Sequence, residues 1–393
     1  MKTLAKNLLL TAAMTGFVWF CTGRFSDMEK GADFPEFYSA ARMVAAGMGP
    51  HLYEASIQEQ FEGRYTGRVG TLFNHPPFEL LFYLPFCGST MEHAYLLWSL
   101  LNVMLLIAIA RVLGGNLFPN TDWRLLLACM LSFAPVLLNF LQGQDAILLL
   151  FFEVMAFVAL SKDSAAIAGI FLACGLFKFH LVLPLGLIIL PIFPKKLRFL
   201  FGFCATATVL FLASSAVSGW EWMIAYSRLL LWLKDVPLAG IHPQAMANLR
   251  GLISLVLSKP EPRAVVIAAL STLLVILAVG GWHETSSDQR SKLALAGSAL
   301  ASVLVSYHLS PHDLTLLLLP MALILDHERS TDVGPRWLSY ALLGTVIALF
   351  LPPLHIFLLG KDAYVYLSVP LLLLFFAVQA RIRWAPESSR TLP

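Results

Sequence analysis

Residues 125–141 read LLLACMLSFAPVLLNFL, with one hydroxyl and one amide among apolar side chains, and residues 263–282 and 364–380 carry only a few more polar groups. A soluble amphipathic helix needs a polar face, and these runs have none. Several approach the about 20 residues that cross the hydrocarbon core of a bilayer. The whole chain agrees: 58% of its 393 residues are hydrophobic and 13% charged, against roughly 25% charged in a soluble domain. These features define an integral membrane protein. Lipid cannot hydrogen-bond a free backbone, so the choice is between a helix bundle and a closed barrel. The long uniform runs lack the two-residue alternation of barrel strands, and the fold expected is an all-α polytopic bundle forming one membrane-embedded domain over 1–393.

Apolar runs near 7–22, 92–112, 124–141, 144–161, 164–178, 180–194, 196–217, 263–282, 291–308, 311–327, 336–354 and 363–383 predict about twelve spans, several short enough to be tilted or broken by proline. With the N-terminus in the cytoplasm, Lys2, Lys6, Arg111, Arg124, Lys162, the PKKLR cluster at 194–198, Arg290, Lys292, Arg329, Arg336, Arg381 and Arg383 all fall on inner segments. That is the positive-inside pattern of a bacterial-type plasma membrane protein with both termini cytoplasmic. The long loops, 23–91 and 218–262, then lie outside, and the working surface is extracytoplasmic. Two apolar pieces too short to cross, 76–88 and 249–258, read as re-entrant or interfacial helices beside these loops.

The N-terminal MKTLAKNLLLTAAMTGFVWFCTGRF has a basic start and an apolar centre but no clear A-x-A site, which favours an uncleaved first span over a signal peptide. A formal charge of +3 with no arginine-rich block gives no sign of a nucleic-acid partner. Cys21, Cys87, Cys129, Cys174 and Cys204 are scattered without a C-x-x-C pair, as packing or lipid-facing residues.

Chemistry-bearing residues gather at the outer ends. In GADFPEFYSAARMVAAG (31–47), Phe34, Phe37, Tyr38, Ala41, Val44 and Ala45 share one helical face, which predicts an amphipathic helix at the membrane surface. Asp33, Pro35 and Glu36 occupy the positions of a capping box, while a carboxylate beside apolar groups is also placed to take a proton from a hydroxyl. FNHPPFELLFYLPF (73–86) puts His75 before a stiff proline turn, as an interfacial anchor or a pocket wall. LQGQDAILLLFFE (141–153) offers Gln142, Gln144 and Asp145, with Asp145 placed to cap the next helix. Lys178 and His180, in GLFKFHLVLPL, either snorkel or meet an anion. In AYSRLLLWLKDVPLAGIHPQAMANLRGL (225–252), Arg228, Lys234, His242 and Arg250 interleave with Trp232, and Asn248 precedes a short helix. Such a surface suits anionic headgroups or a substrate. In SYHLSPHDLTLLLLP (306–320), His308 and His312 are four apart, but Pro311 between them and the absence of H-E-x-x-H argue against a metal, leaving them as donors to a phosphate oxygen. No DxD and no P-loop suggests a nucleotide donor.

The ordered set DFPEFYSAARMVAAGMGPHLYE, HPPFELLFYLPF, LWSLLN, LQGQDAILLL, GLFKFH, ANLRGL and SPHD resembles glycosyltransferase family 87, the polyprenol-phosphate-sugar dependent membrane enzymes of GT-C type. The resemblance implies transfer of mannose or another hexose from a polyprenyl phosphate to a lipid or glycan acceptor, with inversion to an α-glycoside and no metal. It implies that Asp33 is the general base and His312 the ligand of the donor phosphate, with Lys178 and Arg250 candidates for the same task. Glu36, His75, Gln142, Gln144, Asp145, His180, Asn248 and His308 are candidate pocket residues. One departure is Phe179–His180, where relatives often continue with proline. The alternative from a different class is a transporter or flippase for a lipid-linked solute. Against it stand the lack of a visible internal repeat and little midplane polarity beyond Glu153, which reads as a buried structural hydrogen bond.

Overall fold

A computed structural model describes residues 2–24, 33–67, 70, 72–192, 196–233, 242–283, 288–330 and 334–384. Lys234 and the side chains of Lys2, Cys21 and Arg290 fall outside the described set. Every regular element among the described residues is helical. In order they are α1 (Lys2–Arg24), α2 (Phe34–Ala45), α3 (Ala55–Thr66), α4 (Met91–Asn116), α5 (Trp123–Ser132), α6 (Ala134–Gln142), α7 (Ala146–Ser161), α8 (Ala165–Cys174) and α9 (Phe179–Ile189). They continue with α10 (Lys196–Ser218), α11 (Trp222–Leu233), α12 (Leu249–Val256), α13 (Pro260–His283), α14 (Asp288–Val305), α15 (Leu318–Ser330), α16 (Arg336–Phe350), α17 (Pro352–Gly360) and α18 (Ser368–Arg383). Short 3₁₀ turns link several of them.

Among the described residues four helices, Met91–Asn116, Lys196–Ser218, Pro260–Trp282 and Tyr364–Arg383, are long and apolar enough to cross a membrane alone. Three bent pairs, α5 with α6, α8 with α9, and α16 with α17, raise the number to seven. The count of about twelve differs because it treats every apolar run as a crossing. Phe133, before Pro135, breaks one run by 66°, Leu351, before Pro352, breaks another by 57°, and α7 and α14 are short.

Along one side α4, α7, α8 and α10 pack in sequence; along the other α13, α14, α15, α16 and α18 do, with α9 reaching α14. Apolar burial gives helices in lipid little reason to associate, so close approach of backbones must supply the contact. Gly169 on α8 and Gly202 on α10 do this: a Cβ on either would overlap the partner helix's backbone carbonyl, at Phe199 or Ala166.

The two ends of the bundle differ. At one end Lys6 pairs with Asp122 at 3.1 Å, Lys292 with Asp326 at 2.8 Å and Arg381 with Glu328 at 3.0 Å. Arg111 lies over Trp123, 4.7 Å from the ring centroid. The opposite end carries the first loop as folded structure. The 3₁₀ turn Gly49–His51 rests against Val217 and Ser218 of α10, and in the turn Pro77–Phe82 the Phe78 N–H donates to Ser214 Oγ at 3.1 Å. The sequence reading of 76–88 and 249–258 as short helical pieces beside the loops agrees with Pro77–Phe82 and α12.

α2 is not the surface helix its periodicity predicts. Nine of its 12 residues are buried, Glu36 and Ser39 included, because α3, α4 and the turn at 77–82 cover it. Its start is fixed by α6. Gly143 ends α6 in the left-handed region at φ 68°, the Gln144 N–H returns to the Asn139 carbonyl at 3.0 Å, and the Asp33 N–H donates to the Gln142 carbonyl at 3.0 Å. Glu153 is buried in α7, and its Oε1 has no hydrogen-bond partner.

Gly143 and Gly47 provide a comparison. Both have positive φ, yet a Cβ at Gly143 would lie 2.5 Å from Phe34 Cβ, and one at Gly47 meets nothing within 4 Å. Gly47→Ala is expected to cost about 1–2 kcal/mol for the left-handed backbone. Gly143→Ala should lose a further amount, about 1–3 kcal/mol, from overpacking. Thermal unfolding in detergent measures both, and equal losses would contradict the docking of α2 on this turn.

Candidate active site

The turn between α6 and α7 is the floor of the site, and its rigidity comes from a residue the sequence reading did not single out. Asn139 donates through Nδ2 to the Gln144 carbonyl at 3.1 Å and accepts from the Ala146 N–H at 2.9 Å. Trp98 Nε1 also donates to the Gln144 carbonyl, at 3.3 Å. Gln142, Gln144 and Asp145 are therefore held by buried groups on both sides.

Asp33 stands at the N-cap position of α2, but its side chain makes no capping hydrogen bond. One carboxylate oxygen instead accepts from Gln144 Nε2 at 2.6 Å. Glu36 is not its capping partner either: it is buried one turn along, and only its backbone N–H returns to the Asp33 carbonyl, at 3.0 Å. Burial pushes the Asp33 carboxyl above its ordinary range; the Gln144 hydrogen bond and Lys178 pull it down without reversing the direction. Glu36 goes well above its usual value, by burial first and then by the charge of Asp33.

Lys178 lies where the span formed by α8 and α9 breaks by 64°. It neither snorkels nor stands alone. Its ammonium is buried, 2.8 Å from Asp145 Oδ1 and 2.5 Å from Asp313 Oδ1. Asp145, at the N-cap of α7, caps nothing with its side chain. Asp313 also accepts the Ser310 N–H through Oδ2 at 2.8 Å, which fixes the start of the 3₁₀ turn Pro311–Leu317. Three separate segments are thus tied through one cation.

His312 joins the same group. Its Nδ1 is 2.5 Å from Gln142 Oε1 and its Nε2 is 3.6 Å from Asp313 Oδ1. Gln142 therefore reaches Asp33 through its backbone and His312 through its side chain. Beside this lies a second network: His180 Nδ1 is 2.9 Å from Ser306 Oγ, Ser306 Oγ donates to the His308 carbonyl, and His308 Nε2 is 3.2 Å from Ser310 Oγ. Asn248 donates to the Ser306 carbonyl at 2.8 Å and caps α12 by accepting the Gly251 N–H at 2.9 Å. Arg250 is at the margin, half-buried, donating to the Tyr307 carbonyl at 2.8 Å and lying 3.9 Å from the centre of that ring.

His75 enters from the first loop. Tyr53 donates to its carbonyl at 2.8 Å, Phe37 and Phe73 pack on its ring, and its Nδ1 is 2.7 Å from Glu79 Oε2. Burial lowers the His75 imidazole to about 4. Burial first, then the charge of Asp145 and a side-chain hydrogen bond to it, raise Glu79 well above the carboxylate range. Ligand atoms of His75, Glu79 and Asp145 lie within 4.8 Å of one another, close enough to surround a cation, but the Lys178 ammonium already approaches Asp145.

The structure thus joins Asp33, Gln142, Gln144, Asp145, Lys178 and His312, sets His75 and Glu36 against them, and leaves His180, His308 and Asn248 in the adjoining network. Asp313 and Glu79 are the ionisable members not singled out from the sequence. Each had a local signal: Asp313 ends the capping pattern Ser310-x-x-Asp313, and Glu79 follows His75 by four residues.

Helices able to cross a bilayer, with a buried polar cluster at one end, define a polytopic helical membrane protein with a site at the end of its bundle. Residues 73–311 match the profile of Glycosyltransferase family 87, and the chain belongs to that family. It is accordingly a membrane glycosyltransferase, with a sugar donor, an acceptor and membrane lipids as its partners. The matched range contains most of the site, but Asp33, His312 and Asp313 lie outside it. No curated protein and no solved structure matches the chain.

Removing Lys178 leaves two buried carboxylates facing each other without a counterion. Lys178→Met is expected to destabilise by about 3–5 kcal/mol. Adding Asp145→Asn and Asp313→Asn should recover much of that loss. Unfolding temperatures of the three proteins in detergent decide it, and an unchanged Lys178→Met protein would show that the triad carries no stability.

Proposed function

We propose that the chain transfers mannose or another hexose from a polyprenyl-phosphate donor to the hydroxyl of a lipid or glycan acceptor, with inversion to an α-glycoside. In this reading Asp33 takes the acceptor proton as the acceptor oxygen bonds to the anomeric carbon. The bond from that carbon to the phosphate oxygen breaks, and polyprenyl phosphate leaves with the electron pair. The leaving group is already ionised, so hydrogen-bond donors and positive charge count for more than an acid. An ammonium has three N–H groups; Asp145 and Asp313 take two of those on Lys178 and leave one for a phosphate oxygen. A neutral His312 spends its N–H on Gln142 Oε1 and can give a second hydrogen bond only as the imidazolium. Arg250, at the margin, is placed for the outer part of the donor. The reading calls on no metal.

The carrying observation is that the Asp33 carboxylate is held by Gln144 and not by the helix it precedes. A group serving only as a cap would do the reverse. For orientation, the basic groups collect at the end of the bundle opposite to the site, so the positive-inside rule makes the site extracytoplasmic in a bacterial-type plasma membrane, with both termini in the cytoplasm. Taking short helices such as α7 and α14 as crossings brings a GT-C type bundle toward the about twelve spans read from the sequence.

Asp33→Asn keeps an oxygen for Gln144 and should fold normally, while transfer from polyprenyl-phosphate hexoses falls by about 10²–10⁴; full transfer by the variant would remove Asp33 from the role of base. In the parent protein kcat/KM should fall as pH drops through the raised Asp33 pKa. The acid limb is expected above the ordinary value of 3.8, and a pH profile with its limb at or below that value would contradict a buried base.

A further inference from the structure

Between the Gln142–Asp145 turn and the turn at 77–82 is a set of buried polar atoms to which neither the fold nor the proposed transfer step gives a partner. His75 Nδ1, both oxygens of Glu79, the Tyr83 hydroxyl, Gln144 Oε1 and both oxygens of Asp145 are buried without a hydrogen bond of acceptable geometry. Buried polar groups are nearly always satisfied, and so many orphans in one place require an explanation. Glu79 and Asp145 meet through one side-chain hydrogen bond, which accounts for one oxygen of each. Lys178 approaches Asp145 Oδ1. Glu79 Oε2 lies 2.7 Å from His75 Nδ1, which leaves the Tyr83 hydroxyl and Gln144 Oε1 without any partner.

The groups are rigidly aimed. The Tyr83 ring is stacked by Phe37, with centroids 4.7 Å apart, and by Trp98, at 4.2 Å, so its faces are occupied and only the hydroxyl is available. Gln144 is fixed because its amide nitrogen donates to Asp33, which fixes the direction of the buried Oε1. Glu79 is set by the Phe78 N–H anchored on α10. Oriented, buried oxygen acceptors suit a ligand that carries several O–H donors. Asp33 adjoins this set through Gln144, so a sugar whose anomeric carbon faces Asp33 has its hydroxyls here.

We infer that His75, Glu79, Tyr83, Gln144 and Asp145 form the pocket that binds the hydroxyl groups of the transferred sugar and so select it, an inference that rests on the glycosyltransferase reading above. A divalent cation is the rival occupant, since His75, Glu79 and Asp145 are spaced for one. It is disfavoured by the Lys178 ammonium, which already lies 2.8 Å from the Asp145 oxygen a cation would share.

Binding separates the possibilities without needing turnover. Purified protein in detergent is titrated with polyprenyl phosphate and with polyprenyl-phosphate mannose. Tyr83→Phe, which keeps the ring stack, and Glu79→Gln, which keeps the shape, should each weaken the sugar-bearing ligand by about three- to tenfold. Neither should change affinity for the sugarless one. Equal weakening of both ligands, or of neither, overturns the pocket. A wild-type protein that binds neither lipid overturns the donor assignment itself and the pocket with it. A wild-type protein that binds both lipids equally well overturns the pocket alone. Stoichiometric manganese bound by the wild type and lost in His75→Ala assigns the cluster to a cation and also overturns it.

Discussion

Lys178 is the charge on which the site depends. A lone ammonium at the level where a span breaks would be costly, and two lone carboxylates no less so. Together they hold the start of α7, the break between α8 and α9, and the turn at 311–317 in one place. The start of α7 and the turn at 311–317 are far apart in sequence but pack directly on each other, and the ion joins the break at 178 to both. Buried ion pairs are seldom a net source of stability compared with apolar contacts. Here the pairing positions its members: it brings the Gln144–Asp145 and His312–Asp313 pairs, distant from each other in sequence, to one ammonium.

The apolar scaffold explains why that arrangement lies at one end of the molecule. Helices in lipid satisfy their own backbones, so irregular chain is tolerated only where protein covers it. The turn at 143–145, the break at 175–178 and the segment at 306–311 are such places, and all of them belong to the site. The first loop closes over them with its aromatic residues. Phe37 and Tyr83 stack in series on Trp98 of α4, and burial gives the Asp33 carboxyl its raised affinity for a proton.

Much of this was legible in the sequence because lipid imposes simple rules. Apolar runs gave the class, the lysines and arginines gave the two ends, and the ordered motifs gave the family, with Asp33, Gln142, Gln144, Asp145, Lys178 and His312 brought together as their sequence positions alone could not show. The misreadings have physical causes. The helical period of residues 34–45 reported one apolar face, but it could not report that α3 and α4 cover the other, so α2 was placed at a surface. Proline at 135 and 352 was visible; that the runs bend there, and no longer cross as simple rods, depends on tertiary packing. Asp145 and Asp33 had the spacing of caps, and both gave their side chains to distant partners instead. Asp313 escaped notice because its own signal, a helix start, was the ordinary one.

Gln142 uses its backbone carbonyl to hold Asp33 and its side-chain amide to meet His312. Three rotatable side-chain torsions separate a glutamine's main-chain oxygen from its side-chain amide, and at Gln142 both ends are held by a hydrogen bond. The group proposed to receive the proton and the histidine beside the Lys178 cluster are therefore held by one residue. Any drift at position 142 would disturb both at once.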